Sequence, residues 1–168
     1  MPFITEGELT FIFPDTWQAS KFDDWSFHRN QFQNVCGGAK AVDVLAIEPK
    51  KCFWIIEIKD YRRHRRTKVI DLETEIAEKV RDSLAGLVAA KANANDVTEE
   101  ELAVSALQCP RLRVVFHLEQ PAKHTTLFPR AINAANVQQN LKRLIKAIDP
   151  HLLVTEISRM RGVAWSVE

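Results

Sequence analysis

Residues 40–60 constrain the fold more strongly than any other stretch of the chain. Two runs rich in Val, Ile, Leu, Phe and Trp, at 41–47 and 52–58, lie on either side of the polar segment 48–51. Pro49, the second residue of this polar segment, favours entry into a turn, so the stretch predicts a β-hairpin. Both runs are apolar on both faces, as in central strands that other layers cover on two sides.

Three charged residues interrupt these apolar runs: Asp43 in the first, and Glu57 and Lys59 in the second. Charged side chains are rarely buried without a partner. Since side chains alternate along a strand, Glu57 and Lys59 project from the same face of the hairpin. The sequence therefore predicts a cluster of buried charges on one side of the sheet.

The hairpin register decides which charges meet. A three-residue loop at 49–51 places Glu48 opposite Cys52, and counting back along both strands then places Asp43 opposite Glu57. Facing carboxylates destabilise an antiparallel pair and raise a pKa unless a cation lies between them. Hard oxygen ligands with open positions suit Mg²⁺ or Mn²⁺, so a divalent metal site is predicted here.

Asp43 followed by Glu57-Ile58-Lys59 in a hairpin, with a long helix after it, resembles the core of the PD-(D/E)xK nucleases, the superfamily of restriction endonucleases and Holliday junction resolvases. By element order the resemblance covers roughly residues 20–120. It implies an α/β fold of restriction endonuclease type, a mixed β-sheet flanked by helices. It also implies Mg²⁺-dependent phosphodiester hydrolysis, with Asp43 and Glu57 as metal ligands and Lys59 assisting the nucleophile.

The match to the superfamily departs from its pattern in two places. Val42, rather than proline, precedes the aspartate, and no glutamate stands on the helix predicted before the hairpin. Asp23 and Asp24 are the acids on that helix, where many family members place an additional metal ligand. Helix capping and compensation of the helix dipole explain these two acids equally well.

A basic segment follows the hairpin directly. Six Lys or Arg residues stand between positions 59 and 68 against a single acid, Asp60, although the whole chain has a net charge of only +1. Affinity for nucleic acid therefore has to come from local clustering. The segment leaves the sheet beside Lys59, which favours phosphate contact over an ordinary solvated loop. The predicted nucleic-acid-binding residues are Arg62, Arg63, Arg65, Arg66 and Lys68.

The remaining pattern predicts strands and helices around this hairpin. The helix starting after Asp71 has a solvated face that includes Glu75 and Lys79, and the strand at 111–118 lies beside the Glu57 strand. His117, His124, Lys123 and Arg130 are weaker candidates for the site. The other predicted elements are an edge strand at 8–13, helices at 20–34, 71–93, 98–108 (opened by a Thr98–Glu101 capping box) and 136–148, and a strand at 152–157.

Length and composition favour a single domain, residues 1–168, with an ordinary globular core. The three cysteines are widely spaced, which argues against a disulfide framework or a zinc site. The N-terminus has no basic and apolar leader pattern, and no apolar run reaches transmembrane length. We therefore expect a cytoplasmic protein with no membrane partner.

Three functional hypotheses follow from these observations. The first is a nuclease that cleaves DNA in restriction, anti-phage defence or repair. The second is a catalytically inactive module of the same fold that binds nucleic acid or serves as a subunit of a larger complex. The third, a purely protein-binding domain, leaves the basic segment unexplained. The sequence does not distinguish a DNA substrate from an RNA substrate, or endonuclease from exonuclease action. It also does not show whether the protein is a homodimer.

Overall fold

The computed structural model describes residues 1–123, 125–127 and 131–168. Its strands and helices are numbered separately in chain order. The strands are β1 Phe3–Glu6, β2 Leu9–Ile12, β3 Gln18–Lys21, β4 Val44–Glu48, β5 Cys52–Asp60, β6 Leu112–Glu119, β7 Leu153–Thr155 and β8 Ser166–Val167. The helices are α1 Leu72–Asn93, α2 Val97–Leu107 and α3 Ala134–Ile145.

A five-stranded mixed sheet in the order β3-β4-β5-β6-β7 forms the middle of the molecule. β4 is antiparallel to both of its neighbours, β3 and β5, whereas β5, β6 and β7 run parallel to one another. The chain returns from β5 to β6 through α1 and α2, as a crossover between parallel strands requires. The predicted α/β class is confirmed.

Both faces of the sheet are covered, which explains the apolar character of the hairpin on both sides. One face, which includes Ile55 and Phe116, packs against the three helices. The other face, which includes Trp54 and Ile56, packs against a small sheet in the order β1-β2-β8. Since side chains alternate along β5, Glu57 points to the helix side with Ile55.

The hairpin has the predicted register. Glu48 pairs with Cys52 across a loop of three residues, and Lys50 in that loop adopts a positive φ of 57°. The first strand begins at Val44 rather than at residue 41, which corrects the sequence-based boundary. The reason is that the N–H of Val42 donates to Ser83 Oγ on α1 at 2.9 Å, so this backbone leaves the ladder before Val44.

The predicted helix at 20–34 is wrong. Gln18–Lys21 is the edge strand β3, and residues 22–37 form short helical turns, including a π-type turn in which the Gln33 N–H donates to His28 O at 2.8 Å. Phe22 and Trp25 are buried in the core on the helix side. The Trp25 N–H donates to the Phe22 carbonyl at 3.1 Å, so a single short turn gives these two rings a helix-like spacing.

The strand predicted at 8–13 is present as β2, but its predicted position at an edge of the main sheet is wrong. β2 is the middle strand of the small sheet, paired with β1 on one side and β8 on the other. Phe11 from this strand is fully buried. The short partner strands are only four and two residues long, which is why the sequence pattern did not reveal them.

The other three predicted helices are present and differ from the predictions at their ends. α2 is capped by Asp96, which accepts from the Glu99 N–H at 3.1 Å, so the Thr98–Glu101 capping box does not form. The Glu99 carboxylate instead accepts from the Ser26 N–H at 2.6 Å. α3 begins two residues earlier and ends three residues earlier than the predicted 136–148. None of the helices built from described residues has the length and apolar character that a membrane span requires.

α1 lies close against the short helical turns at Gly86. A Cβ added there would come within 3.2 Å of the Phe22 ring and 3.4 Å of the Phe32 ring. Glycine costs roughly 1 kcal/mol relative to alanine inside a helix, so its presence is explained by this close approach.

Candidate functional site

Asp43 and Glu57 meet on the helix side of the sheet. The Lys79 Nζ of α1 lies 2.7 Å from Glu57 Oε1 and 3.6 Å from Asp43 Oδ1. The other Asp43 oxygen, Oδ2, accepts a hydrogen bond from the backbone N–H of Ile58 at 2.6 Å. The two carboxylates therefore converge on one ammonium group, and the backbone of β5 fixes the orientation of Asp43.

Lys59 belongs to the same cluster. Its Nζ forms an ion pair with Glu57 Oε1 and lies 3.3 Å from the carbonyl of Ile58. Burial lowers the pKa of Lys59, but the Glu57 and Asp43 carboxylates outweigh that effect and hold this pKa above its ordinary value. Lys59 is thus a protonated ammonium, suited to stabilising negative charge rather than to removing a proton from water.

Glu57 is the most strongly perturbed group of the cluster. Its side chain is fully buried, and burial followed by the Asp43 charge raises the pKa of Glu57 to about 7 despite Lys79 and Lys59. Its Oε2 atom is buried and has no hydrogen-bond partner among the described residues. A buried carboxylate oxygen with no partner, beside a second carboxylate, fits a hard divalent cation.

The protein ligands for such a cation would be few. No group of three or more His, Cys, Asp or Glu residues suited to a metal occurs in the part of the chain that the structure describes. Asp43 and Glu57 together supply two carboxylates. This number suits Mg²⁺, which usually keeps several waters and takes its remaining oxygens from substrate phosphate.

Lys79 is a site residue that the sequence prediction placed on the solvated face of α1, and that placement is wrong. Glu75, Lys79 and Ser83 recur every four residues, so they form one stripe along the helix. Glu75 is only 2% exposed and Ser83 is fully buried, so the stripe faces the sheet. The regular spacing of four was the available signal, but Glu and Lys on a helix are solvated by default.

The two additional acids differ in their relation to the site. The N–H of Phe22 donates to the carbonyl of Asp43 at 2.9 Å, which brings Asp23 next to the cluster. Burial, followed by the charges of Asp43 and Asp24, raises the pKa of Asp23. Asp24 instead forms an ion pair with Arg29 and is 44% exposed. Asp23 is therefore the better candidate for an additional ligand.

Two residues of the basic segment pair with Glu75, the buried acid one helical turn before Lys79 on α1. Arg66 Nη2 lies 3.0 Å from Glu75 Oε2, and Lys68 forms an ion pair with the other Glu75 oxygen. Burial raises the pKa of Glu75, but the charges of Lys68, Lys59 and Arg66 outweigh it and leave this pKa below its ordinary value. Arg66 and Lys68 thus extend the buried charge network toward the surface.

The other three arginines are anchored near the surface. Arg62 donates from Nε and Nη2 to the Asp60 carboxylate, and Arg63, which is 72% exposed, lies 2.8 Å from a Glu8 oxygen. Arg65 donates from Nη2 to the carbonyls of Thr126 and Leu127, at 2.7 and 2.8 Å. Arg63 and Arg65 remain exposed and accessible to a ligand.

A cleft of about 240 Å³ lies beside this segment. Tyr61, which directly follows β5, lines it together with the two arginines Arg65 and Arg66. The Arg66 Nε atom is buried without a hydrogen-bond partner among the described residues. The lining residues are Tyr61, Arg65, Arg66, Gln120, Ala131 and Ile132.

His117 lies outside the cluster. It pairs with Ile58 across the parallel ladder, so it points to the side of the sheet opposite Glu57. It is fully buried, with Nδ1 at 3.0 Å from Thr155 Oγ1 and Nε2 at 2.9 Å from Glu119 Oε1. The geometry is that of a structural residue. Of the other weak candidates, Lys123 is exposed, whereas His124 and Arg130 lie outside the described residues.

Comparison with known proteins finds a similarity to part of a tRNA ligase. The chain is 32% identical over 209 residues to cysteine-tRNA ligase from Neisseria meningitidis serogroup A / serotype 4A (strain DSM 15465 / Z2491). The similarity covers 99% of this chain but 30% of that protein, so the chain spans less than a third of the relative's length. No protein-family model matches the chain, and no solved structure matches it.

Proposed function

We propose that the protein is a metal-dependent nuclease of the PD-(D/E)xK type, which hydrolyses phosphodiester bonds in nucleic acid. The observation that carries the proposal is the convergence of Asp43, Glu57 and Lys59 on the helix side of β5, next to a segment rich in arginine. The mixed sheet, with α1 following β5, also fits a restriction endonuclease-like fold, which is part of the same proposal.

In this proposal Asp43 and Glu57 hold Mg²⁺ or Mn²⁺, and Asp23 is the additional acid nearby. A bound divalent cation supplies an activated water and positive charge for the pentavalent phosphate. The protonated Lys59 donates hydrogen bonds to a phosphate oxygen and stabilises the charge that develops there. The Ile58 N–H keeps the Asp43 carboxylate in one orientation, so the acid needs little reorganisation when it binds a cation.

Nucleic acid would approach along the basic segment and the cleft lined by Tyr61 and Arg66. Arg63 and Arg65 are exposed and suit contacts to the phosphate backbone, which position a nucleic acid without reading its sequence. The sequence alone favoured DNA. The relative's name refers to a tRNA, so RNA, and tRNA in particular, is a substrate class of equal interest.

A second function is favoured by one specific observation. Lys79 and Lys59 both contact Glu57, and Lys79 lies near Asp43 as well, so the carboxylates already have cationic partners within the chain. Such an internally paired cluster fits a module that kept a nuclease fold and binds nucleic acid without cleaving it. In that case the charged cluster contributes to the structure alone.

An assay with a panel of nucleic acids separates the two functions. Single-stranded, duplex and branched DNA and tRNA are incubated with the protein in Mg²⁺, Mn²⁺ or EDTA. We expect cleavage with either metal, none in EDTA, and a loss of roughly a hundredfold or more in Glu57→Gln. Glu101→Gln, an exposed residue on α2, is the matched control and should cleave like the wild type.

Three other outcomes of this assay, run beside a binding measurement on the same nucleic acids, are informative. Metal-dependent cleavage that persists unchanged in Glu57→Gln would remove this residue from the catalytic site. Binding without cleavage under every condition would support the second function. An absence of both binding and cleavage, even at low salt, would contradict both proposed functions.

A further inference from the structure

The position of Lys79 between two carboxylates has a consequence for the proposed metal site. Its Nζ is 2.7 Å from Glu57 Oε1 and 3.6 Å from Asp43 Oδ1, so it approaches both proposed ligands at once. Lys59 differs, because its partners are Glu57 and the carbonyl of Ile58. Lys79 is thus the ammonium that lies where the two acids converge.

The Lys79 ammonium and a divalent cation would compete for this position because both are positively charged. Two unit charges of like sign a few ångströms apart repel each other by several kcal/mol at the effective dielectric constant of a protein, roughly 20. A divalent cation held by both acids would lie close to the Lys79 ammonium and would therefore be repelled by it. The ammonium and the cation cannot both occupy the space between the carboxylates.

The side chain of Lys79 has a route away from the cluster. It is 16% exposed, and lysine carries its charge on a flexible stem of four carbons. The acids next to it on α1 already have partners, since Glu78 pairs with Lys40 and Glu75 with Lys68. A displaced Lys79 ammonium would therefore point to water rather than form another internal ion pair.

We infer that Lys79 is an internal counter-ion that occupies the place of the divalent cation and must move away before the cation binds. This inference rests on the proposed metal site. In the metal-free protein Lys79 neutralises the two acids and stabilises the fold. Its departure consumes part of the binding free energy, so Lys79 lowers the affinity of the site for metal.

Metal binding itself tests the inference. Mn²⁺ is titrated into wild type and Lys79→Met, and free Mn²⁺ is measured by electron paramagnetic resonance. We expect Lys79→Met to bind Mn²⁺ roughly tenfold or more tightly than the wild type, since the competing charge is gone. Lys91→Met, an exposed lysine on the same helix, is the matched control and should bind like the wild type.

Lys59→Met distinguishes a specific competitor from a general charge effect. Removing any nearby positive charge strengthens cation binding somewhat, but Lys59 does not bridge the two acids. We expect a smaller gain in Mn²⁺ affinity for Lys59→Met than for Lys79→Met. Equal gains, or no gain in Lys79→Met, would overturn the inference.

Stability gives a second readout on the same variants. In EDTA, Lys79→Met should melt at a lower temperature than the wild type because Glu57 and Asp43 lose their shared partner. Mn²⁺ should raise its Tm by more than it raises that of the wild type. If Lys79→Met does not fold, Lys79→Gln keeps a hydrogen-bond donor without the charge, and the same directions are expected.

A nuclease assay on these samples separates failure of the inference from failure of the proposed function. If the wild type cleaves nucleic acid but Lys79→Met does not bind Mn²⁺ more tightly, the inference about Lys79 is contradicted and the proposed nuclease function is supported. If Lys79→Met binds Mn²⁺ more tightly but neither the wild type nor any variant cleaves nucleic acid, the inference about Lys79 is supported and the proposed nuclease function is contradicted.

Discussion

The Asp43 carboxylate accepts a hydrogen bond from the backbone N–H of Ile58 at 2.6 Å, just beyond the last backbone pair of the hairpin. A side chain thereby takes the place of a backbone carbonyl at the end of the ladder between β4 and β5. This contact joins the structural role of Asp43 to its proposed role as a metal ligand. It also gives the residue two separable functions that substitutions can test.

The first prediction separates the two functions of Asp43. Asp43→Asn keeps an oxygen that can accept from Ile58, so its free energy of unfolding in EDTA should lie within about 1 kcal/mol of the wild type. Asp43→Ala leaves a buried N–H unpaired and should cost about 1–3 kcal/mol. Urea denaturation in EDTA measures both. Equal losses in the two variants would show that the charge of Asp43, rather than its hydrogen bond, stabilises the fold.

The second prediction concerns the pH dependence of stability. The pKa of Glu57 is raised from 4.5 to about 7 in the folded protein, so the folded state keeps this proton at pH values where the unfolded state releases it. The free energy of unfolding should therefore fall as the pH rises from 4.5 to 7, by up to about 3 kcal/mol from this residue.

Glu57→Gln isolates that contribution. Glutamine does not titrate, so the difference in unfolding free energy between the two proteins, followed by urea denaturation in EDTA, should change across this pH range. Parallel profiles for wild type and Glu57→Gln would contradict the raised pKa. The difference between the two proteins excludes the contributions of other groups that titrate in this pH range, such as His28, because these groups are present in both.

The third prediction concerns phosphate contacts. Arg63 and Arg65 are exposed, so Arg63→Ala with Arg65→Ala should leave stability nearly unchanged. If both contact phosphate, the slope of log affinity against log salt on duplex DNA should flatten by up to about 1.8. Arg161→Ala, an exposed arginine between β7 and β8, is the control. An unchanged slope in the double variant would mean that nucleic acid does not follow this segment.

The fourth prediction treats His117 as structural. His117→Ala removes a buried ring together with its contacts to Thr155 and Glu119, and it should cost roughly 3 kcal/mol or more. Cleavage per folded molecule, measured well below the Tm, should remain that of the wild type. A loss of cleavage by a fully folded His117→Ala protein would give this histidine a functional part.

The hairpin was predictable because its register depends on local features. An apolar pattern covering both faces and a short loop containing Pro49 leave one arrangement in which the buried charges meet, and Glu48 does pair with Cys52. The α/β class followed from the order of strands and helices for the same reason. These parts of the fold are encoded by residues close together in the sequence.

Long-range packing explains what could not be predicted. Phe22 and Trp25 have helical spacing, yet they belong to a single short turn whose two rings are buried in the core on the helix side. Lys79 and Glu75 have the composition of a solvated face and become buried only when α1 docks on the sheet. The sequence therefore indicated the acids of the site but not the lysine that joins them.

Gly86 has a consequence that reaches beyond its own neighbours. It stands seven residues after Lys79 on α1, which is about two turns or 10 Å along the helix, so the two residues lie on nearly the same face. A Cβ at Gly86 would come within 3.2 Å of the Phe22 ring, so the absence of a side chain there allows α1 to lie close to the turns beneath it. A larger residue at this position would move the helix outward, and with it the ammonium group that Lys79 places beside the two acids.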